Sequence, residues 1–572
     1  MESKMVGLEP NSDHIERVLE ANIPTPSRAD SVQHRIETAG GSYEKEGFMG
    51  IFDNRYVTLC AAFAALGGGL FGYDQGVISV TLVMPQFIEA FPEIAEPGRG
   101  AFNKGVLTAI LELGAFLGAL NQGWLADKIS RRRSILVAVF IFLFGSALQT
   151  GAMNYNTLVA GRFIGGIGIG MLAMVGPLYI SEIAPPKIRG TLLTLQELSI
   201  VTAIVIAYYT TYGTRYIQSE WSFRLPFLLQ IPPALLLGIG VRFLPYSPRW
   251  LVSKGRDDEA LQVLSKLRAL PTTDNRVLNE WLDIRAEYTF CKEVSIERHP
   301  KLHDGRMSSR IKLQLIYYID CFRGRLWKRT HVAIGLMFFV QFGGVNALIY
   351  YSPTLFASLG QDYDMQLNLS GALNVAQMVA CFWSLWGLDR YGRRPCLLGG
   401  ATFMFISHFI IAILVGLYSG NWAAHADKAW VSIAFLFFFM LTYSATWGPI
   451  PWAMPSEIFP ISVRAKGVAY GTMSNWFNNF IVGLITPPLI ANTGFGTYVF
   501  FASFCFIAIF WTWFFVPETK NKTLEQMDEV FGDCTGEREL AHKAEIHARI
   551  AGEIWGSNSN EDSESTQPTQ KS

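Results

Sequence analysis

Two charged side chains stand where hydrocarbon should exclude them. The stretch LFGYDQGVIS (70–79) puts Asp74 inside an apolar run that begins near Tyr56. GRFIGGIGIG (161–170) puts Arg162 inside another. A carboxylate at a bilayer centre costs about 2.5–3.5 kcal/mol on insertion scales. Such residues persist where they pair or act on an ion or substrate. An Asp74–Arg162 ion pair would lower the cost of each. Two readings stay open on the residues alone: a structural pair, or an acid that takes up and releases a proton.

A second set suits a neutral polyhydroxylated ligand, whose hydroxyls need amides and whose C–H faces need aromatic rings. In QFGGVNALIYYSP, Gln341, Asn346 and Tyr350 follow at steps of five and four, a broad helical face. WGPIPW carries Trp452, and its prolines 449 and 451 break the helix, as suits a segment lining a cavity. SNWFNNF sets Asn475 and Asn479 one turn apart with Trp476 between them, and Gln377 lies in a further apolar run. Singly, such amides join helices and such tryptophans mark the membrane interface. Together they form a binding set.

The elements that position these residues are membrane spans. Half of the 572 residues are hydrophobic and 16% are charged, well below the share in soluble domains. A span needs roughly 20 apolar residues. The windows fall at roughly 56–80, 103–125, 134–152, 157–180, 191–213, 225–244, 332–357, 370–388, 395–418, 429–454, 465–490 and 498–516. The expected fold is an all-α polytopic membrane protein. Its expected parts are a tail (1–50), a six-helix bundle (51–244), a linker (245–331), a second six-helix bundle (332–516) and a tail (517–572). Lys and Arg crowd the loops after the second and eighth spans and the linker, while 151–156, 358–369 and 491–497 have none. By that bias the linker and both termini are cytosolic. In the linker, DDEALQVLSKLRAL (257–270) reads as an amphipathic helix with Leu261, Leu264, Leu267 and Leu270 near one face, capped by Asp257 or Asp258. The polar stretch after 555 reads as disordered. Asn368 opens a glycosylation sequon beside the eighth span.

Other functions are excluded. Formal net charge is zero, so nothing in the whole-chain charge favours nucleic acid. Seven scattered cysteines without a CxxC pair form neither a disulfide framework nor a metal site. No nucleophile–base set suggests an enzyme, and no cofactor is expected. The glycines of 161–170 lie in an apolar span with no preceding strand, so they serve helix packing, not a nucleotide.

Three motifs occur twice, at matching places in the two halves. GWLADKISRRR (123–133) matches GLDRYGRRP (387–395). YISEIAPPKIRG (179–190) matches MPSEIFPISVRAKG (454–467), and LPYSPRWL (244–251) matches VPETKNKTL (516–524). Two six-span repeats imply a pseudo-twofold axis along the membrane normal, with a site between the halves. On these motifs the chain, over about 50–532, resembles the sugar porters of the major facilitator superfamily, and among them fungal monosaccharide permeases. The resemblance implies two six-helix bundles that rock around a central sugar site.

Charges at helix ends on the cytosolic side (Asp127, Arg132, Glu182, Arg189, Asp389, Arg393, Glu457 and Arg464) can pair across the halves and hold that side closed. The resemblance implies the same lock. It also implies that Gln341, Asn346, Gln377, Trp452, Asn475, Trp476 and Asn479 touch sugar. Four positions depart from the family pattern. Ser130 replaces a loop glycine, Tyr246 an acid, Val340 a glutamine and Glu197 a glutamine. Glu197 argues against an anionic substrate, because two buried negative charges repel. Family members matching Asp74 and Arg162 include proton symporters, in which the Asp takes the proton. Some yeast facilitators keep the Asp without coupling. The expectation is a proton-coupled monosaccharide importer, acting as a monomer in the plasma membrane. The alternatives are a uniporter or a sugar sensor.

Overall fold

The computed structural model describes residues 54–564 except 186–187, 305, 521, 523 and 533–534. The expected tail 1–50 lies outside them. Twelve helical spans follow one another. Spans one to six are Arg55–Thr81, Gly100–Ile129, Arg131–Thr150, Tyr155–Ile183, Arg189–Thr214 and Trp221–Phe243. Spans seven to twelve are Leu326–Ser358, Tyr363–Tyr391, Arg393–Tyr418, Ala426–Ile458, Arg464–Thr493 and Gly496–Phe515. Ten are long and apolar enough to cross a membrane by length and composition alone. Spans eight and eleven, which carry Gln377, Asn475 and Asn479, are not among those ten.

Span seven begins at Leu326, inside the stretch expected to be linker. Its first turn is held by Arg329, which is fully buried and pairs with Asp528 at 2.6 Å. The span breaks after Phe342. Gly344 has φ +97°, a backbone that glycine adopts without steric cost. A second irregularity follows at Tyr351, just before Pro353, whose ring and missing N–H disrupt the helical ladder. Span ten breaks between Ala445 and Ile450, at the expected prolines.

Small residues set the helix spacing. A Cβ on Gly166 of span four would stand 2.1 Å from the Leu111 carbonyl oxygen of span two. One on Gly114 of span two would stand 2.2 Å from the Phe163 carbonyl oxygen. Spans two and four therefore meet backbone to backbone, as in other small-residue membrane interfaces. Between the halves, span two packs on span eleven, span five on span eight, and span one on the second part of span seven.

The two halves solve one turn differently. Gly392, before span nine, has φ +93° and ψ 161°. Ser130, before span three, has φ +95° and ψ 156°. This region belongs almost entirely to glycine. In the second half Glu518 caps span nine, accepting from Arg393 N and Arg394 N at 3.0 Å each. A Cβ at 392 would stand 2.8 Å from that carboxylate. In the first half the matching residue is Tyr246, which cannot cap. It lies beneath the Arg132 guanidinium at 5.2 Å. Ser130 supplies the cap itself, its Oγ accepting from Arg133 N at 3.2 Å. The two departures from the family pattern are thus one compensated exchange.

The linker folds into helices that include Asp257–Arg268 and Asn275–Arg298. Leu264 and Leu267 are buried as expected. Neither Asp257 nor Asp258 is the cap: both lie in the first turn, and Asp257 accepts from Trp281 Nε1 at 3.2 Å. Residues 565–572 lie outside the described residues, but up to 564 the disorder expected after 555 is corrected, because a helix runs Thr535–Glu564. Ile546, Ile550 and Ala551 pack with Trp281 and Phe290 of the linker, and this apolar contact anchors it.

Ser130→Gly should stabilise the protein by about 1 kcal/mol, since relief of strain worth about 1–3 kcal/mol exceeds the few tenths lost with the cap. Ser130→Ala keeps the strain, loses the cap and should cost about 1 kcal/mol. Thermal unfolding of detergent-solubilised protein checks both. A lower midpoint for Ser130→Gly would refute the strain argument.

Candidate functional site

Asp74 and Arg162 do meet. Arg162 Nη1 donates to Asp74 Oδ1 at 3.0 Å, and both side chains are buried. The close contact of spans two and four lets Arg162 Nε reach the Leu107 carbonyl at 2.7 Å. The guanidinium is therefore fixed from spans one and two together.

Tyr350 ties this pair's neighbourhood to the other half. Its hydroxyl donates to Glu112 Oε1 of span two at 2.6 Å. It accepts from Gln75 Nε2 of span one at 2.9 Å and from Asn479 Nδ2 of span eleven at 3.0 Å. One hydroxyl thus joins four spans. Its single proton and both lone pairs are engaged. Beside it Asn346 Nδ2 donates to Gln341 Oε1 at 2.7 Å, and Gln341 Nε2 donates to Asn475 Oδ1 at 2.8 Å. Trp476 stands edge-on to Phe71 of span one, ring centres 4.9 Å apart.

Several buried polar atoms have no hydrogen-bond partner among the described residues. They include Gln377 Oε1, Trp476 Nε1 and both amide atoms of Asn374. Orphaned groups of this kind are costly unless a ligand or water satisfies them. Trp452 is exposed, on the short helix Ile450–Ile458, and the structure does not join it to the amide network. Glu197 lies near Cys381 and Tyr443 of the second half. Val340 is buried in the apolar cluster around Leu336 and Phe339.

Sequence reasoning missed Gln75, Glu112 and Asn374. The signal for Glu112 was present: ILELG is an acid in an apolar run, as at Asp74. Asn374 precedes Gln377 by three residues, one helical turn.

The charges on the linker side are arranged otherwise than expected. Arg131, not Arg132, makes the ion pairs, with Glu182 at 2.9 Å and Asp127 at 2.9 Å. Arg132 donates to the backbone carbonyls of Arg242 and Leu244. The turn at Ser130 starts the helix so that its first residue, Arg131, meets Glu182. In the second half Arg393 pairs with Glu457 at 3.1 Å. The Asp389 side chain lies outside the described residues. These pairs join elements within one half, while Asp127 of the first half also lies near Lys466 of the second. Linker groups also lie near both halves. Glu287 pairs with Arg249 at 2.5 Å and interacts with Arg189 and Arg464. Burial opposes its charge, but Arg249 and Lys543 outweigh that and hold its carboxyl below the ordinary range.

On the opposite side, spans five and eight bond directly. Tyr208 donates to the Leu367 carbonyl at 2.6 Å, and Tyr212 to Asn368 Oδ1 at 3.0 Å. The sequon residue thus lies in a helix with its side chain engaged. Arg215 pairs with Asp364 at 2.8 Å and lies over the rings of Tyr212 and Tyr216 at 4.3 and 4.6 Å. Such cation–π contacts add about 0.5–1 kcal/mol where partly exposed.

Comparison with known proteins agrees with this architecture. The family model described as "Sugar (and other) transporter" matches residues 60–531. A probable glucose transporter (rco-3) of Neurospora crassa is 32% identical over 82% of this chain and 78% of its own length. A quinate permease of Neurospora terricola is 33% identical, covering 84% of this chain and 89% of its own. The solved proton:xylose symporter XylE, bound to 6-bromo-6-deoxy-D-glucose, is similar at 26% identity and TM-score 0.66. It covers 83% of this chain and 99% of its own.

The contact between spans five and eight can be tested by charge exchange. Asp364→Arg sets two cations together and should slow transport about 1.4- to fivefold, given about 0.2–1 kcal/mol for an exposed pair. The double exchange Arg215→Asp with Asp364→Arg should restore most of the rate of labelled-sugar uptake. A double variant slower than both singles would refute the pairing.

Proposed function

As this chain belongs to the sugar (and other) transporter family, an integral membrane family and not an enzyme, we propose that it imports a neutral monosaccharide, a hexose or pentose, by proton symport with alternating access. In this reading residues 51–244 and 332–516 move as two bodies joined by 245–331. Both termini are cytosolic, and the chain works as a monomer in the plasma membrane. One observation carries the proposal: a buried Asp74–Arg162 pair in the same polar core as the amides linked through Tyr350.

The mechanism follows from charge burial. Ionised Asp74 is held by Arg162. A proton arriving from outside neutralises the carboxylate and weakens the pair, which frees spans one and four to shift. Sugar hydroxyls take the bonds that Gln341, Asn346, Asn475 and Asn479 make with one another or with Tyr350. They also satisfy Gln377 and Trp476, whose polar atoms are otherwise orphaned. Trp452 and Trp476 supply the aromatic faces. Closure above the sugar uses the contacts of spans five and eight. Opening below rearranges the ion pairs around Arg131, Arg393 and the linker's Glu287. Release of sugar and proton to the cytosol restores the Asp74–Arg162 pair.

The substrate is neutral in this account because Glu112 adds a second acid beside Asp74 in the amide-linked core, and an anion there would be repelled. The quinate permease relative makes that point testable: excess unlabelled glucose or xylose should displace labelled sugar, and quinate should not.

Asp74→Asn removes the titrating group while keeping its size. It should reduce gradient-driven accumulation in proteoliposomes to an inside-to-outside ratio near one and leave measurable sugar exchange. Accumulation equal to that of the unaltered protein would reject symport through Asp74 and favour a uniporter with the same sugar site.

A further inference from the structure

One buried acid remains without a part in this mechanism. Glu112 is 1% exposed. Its Oε1 accepts from Tyr350, while its Oε2 has no hydrogen-bond partner among the described residues, nor has Asp74 Oδ2. The charged and titratable groups facing it are Asp74 of span one, Arg162 of span four, and Tyr350 and Tyr351 of span seven. The amides of Gln75 and Asn479 bond Tyr350 beside it and are neutral.

One guanidinium therefore serves two carboxylates. With both acids ionised the trio would carry an uncompensated negative charge out of contact with water, and such sites protonate instead. The two free oxygens, Asp74 Oδ2 and Glu112 Oε2, are where the proton can sit without breaking an observed bond. The hydroxyl of Tyr350 adds a constraint. Its one proton goes to Glu112, and its lone pairs are filled by Gln75 and Asn479. A sugar hydroxyl that displaces Asn479 or Tyr350 must change the bond at Glu112.

We propose that Glu112 is a second coupling residue: the cotransported proton is held by the Asp74–Glu112–Arg162 trio, and Tyr350 links its presence to sugar occupancy. This deepens the symport reading above and rests on it. In the step itself an O–H bond forms on a carboxylate oxygen with a proton from outside water. That bond breaks when the proton passes to cytosolic water, and no electrons are exchanged. Because linkage is reciprocal, a protonated trio and a bound sugar favour each other. Glu112 acts on sugar through Tyr350, so it is a positioning residue for the ligand and a binding residue for the proton.

The test uses purified full-length protein, labelled glucose and labelled xylose, with binding measured between about pH 5 and 8. The unaltered protein should change its sugar affinity by about fivefold or more across this range, a typical coupling. Glu112→Gln keeps the acceptor oxygen but cannot titrate, and Tyr350→Phe keeps the acid but cuts the link. Each should reduce that dependence to under about twofold. Glu112→Asp should recover it in part. A Glu112→Gln protein with the original pH profile and full proton-driven accumulation would overturn the proposal while leaving Asp74 symport standing. If the unaltered protein moves no protons with sugar, both readings fall. If Glu112→Gln binds nothing, Glu112→Asp decides. A pH-dependent affinity in that variant supports the coupling role, and its absence overturns it.

Discussion

Everything in the core of this protein answers to the difficulty of keeping charge away from water. Asp74, Arg162 and Glu112 are buried among helices with no bulk solvent to hydrate them. Removing one partner of a buried pair typically costs about 3–5 kcal/mol, because the other is left uncompensated. That cost organises the packing around it. Spans two and four touch through glycine so that Arg162 can bond the Leu107 carbonyl as well as Asp74. Through Tyr350 the same cluster extends to spans seven and eleven of the other half. A single proton added or removed there acts on five helices and on both sides of the interface between halves.

The periphery is built from the same repeat by different means. In the second half Gly392 forms the turn and Glu518 caps the helix. In the first half Ser130 does both, at the expense of backbone strain, and Tyr246 is free to stack beneath Arg132. The ion pairs of the linker side keep within each half, Arg131 with Glu182 and Arg393 with Glu457. Linker groups such as Glu287, close to Arg189 and Arg464, also stand between the halves on that side. On the opposite side the halves meet directly through Tyr208, Tyr212 and Arg215.

Much of this was legible in the residues, for physical reasons. Twelve apolar windows, two repeated halves and the Asp74–Arg162 pair follow from hydrophobicity, motif order and the cost of buried charge. The amide set on spans seven and eleven follows from helical spacing. What was not legible depends on tertiary register. Whether Arg131 or Arg132 meets Glu182 turns on the unusual backbone of Ser130, which no propensity predicts for serine. Glu112 obeys the rule that exposed Asp74, but only the fold shows that both share one guanidinium. The stretch after 555 looked too polar to order, yet up to Glu564 it continues a helix that Ile546 and Ile550 anchor against a linker surface that exists only once the linker has folded.

The central claim is that sugar and proton cross together through one buried charge cluster. Its most direct measurement is the reversal point of transport in proteoliposomes loaded with labelled glucose or xylose, with opposing sugar and proton gradients set independently. The account predicts that net sugar flux stops when the two driving forces balance at about one proton per sugar, each tenfold sugar gradient being offset by about 1.4 kcal/mol of proton driving force. Flux that stops only when sugar is equal on both sides, whatever the proton gradient, would contradict it.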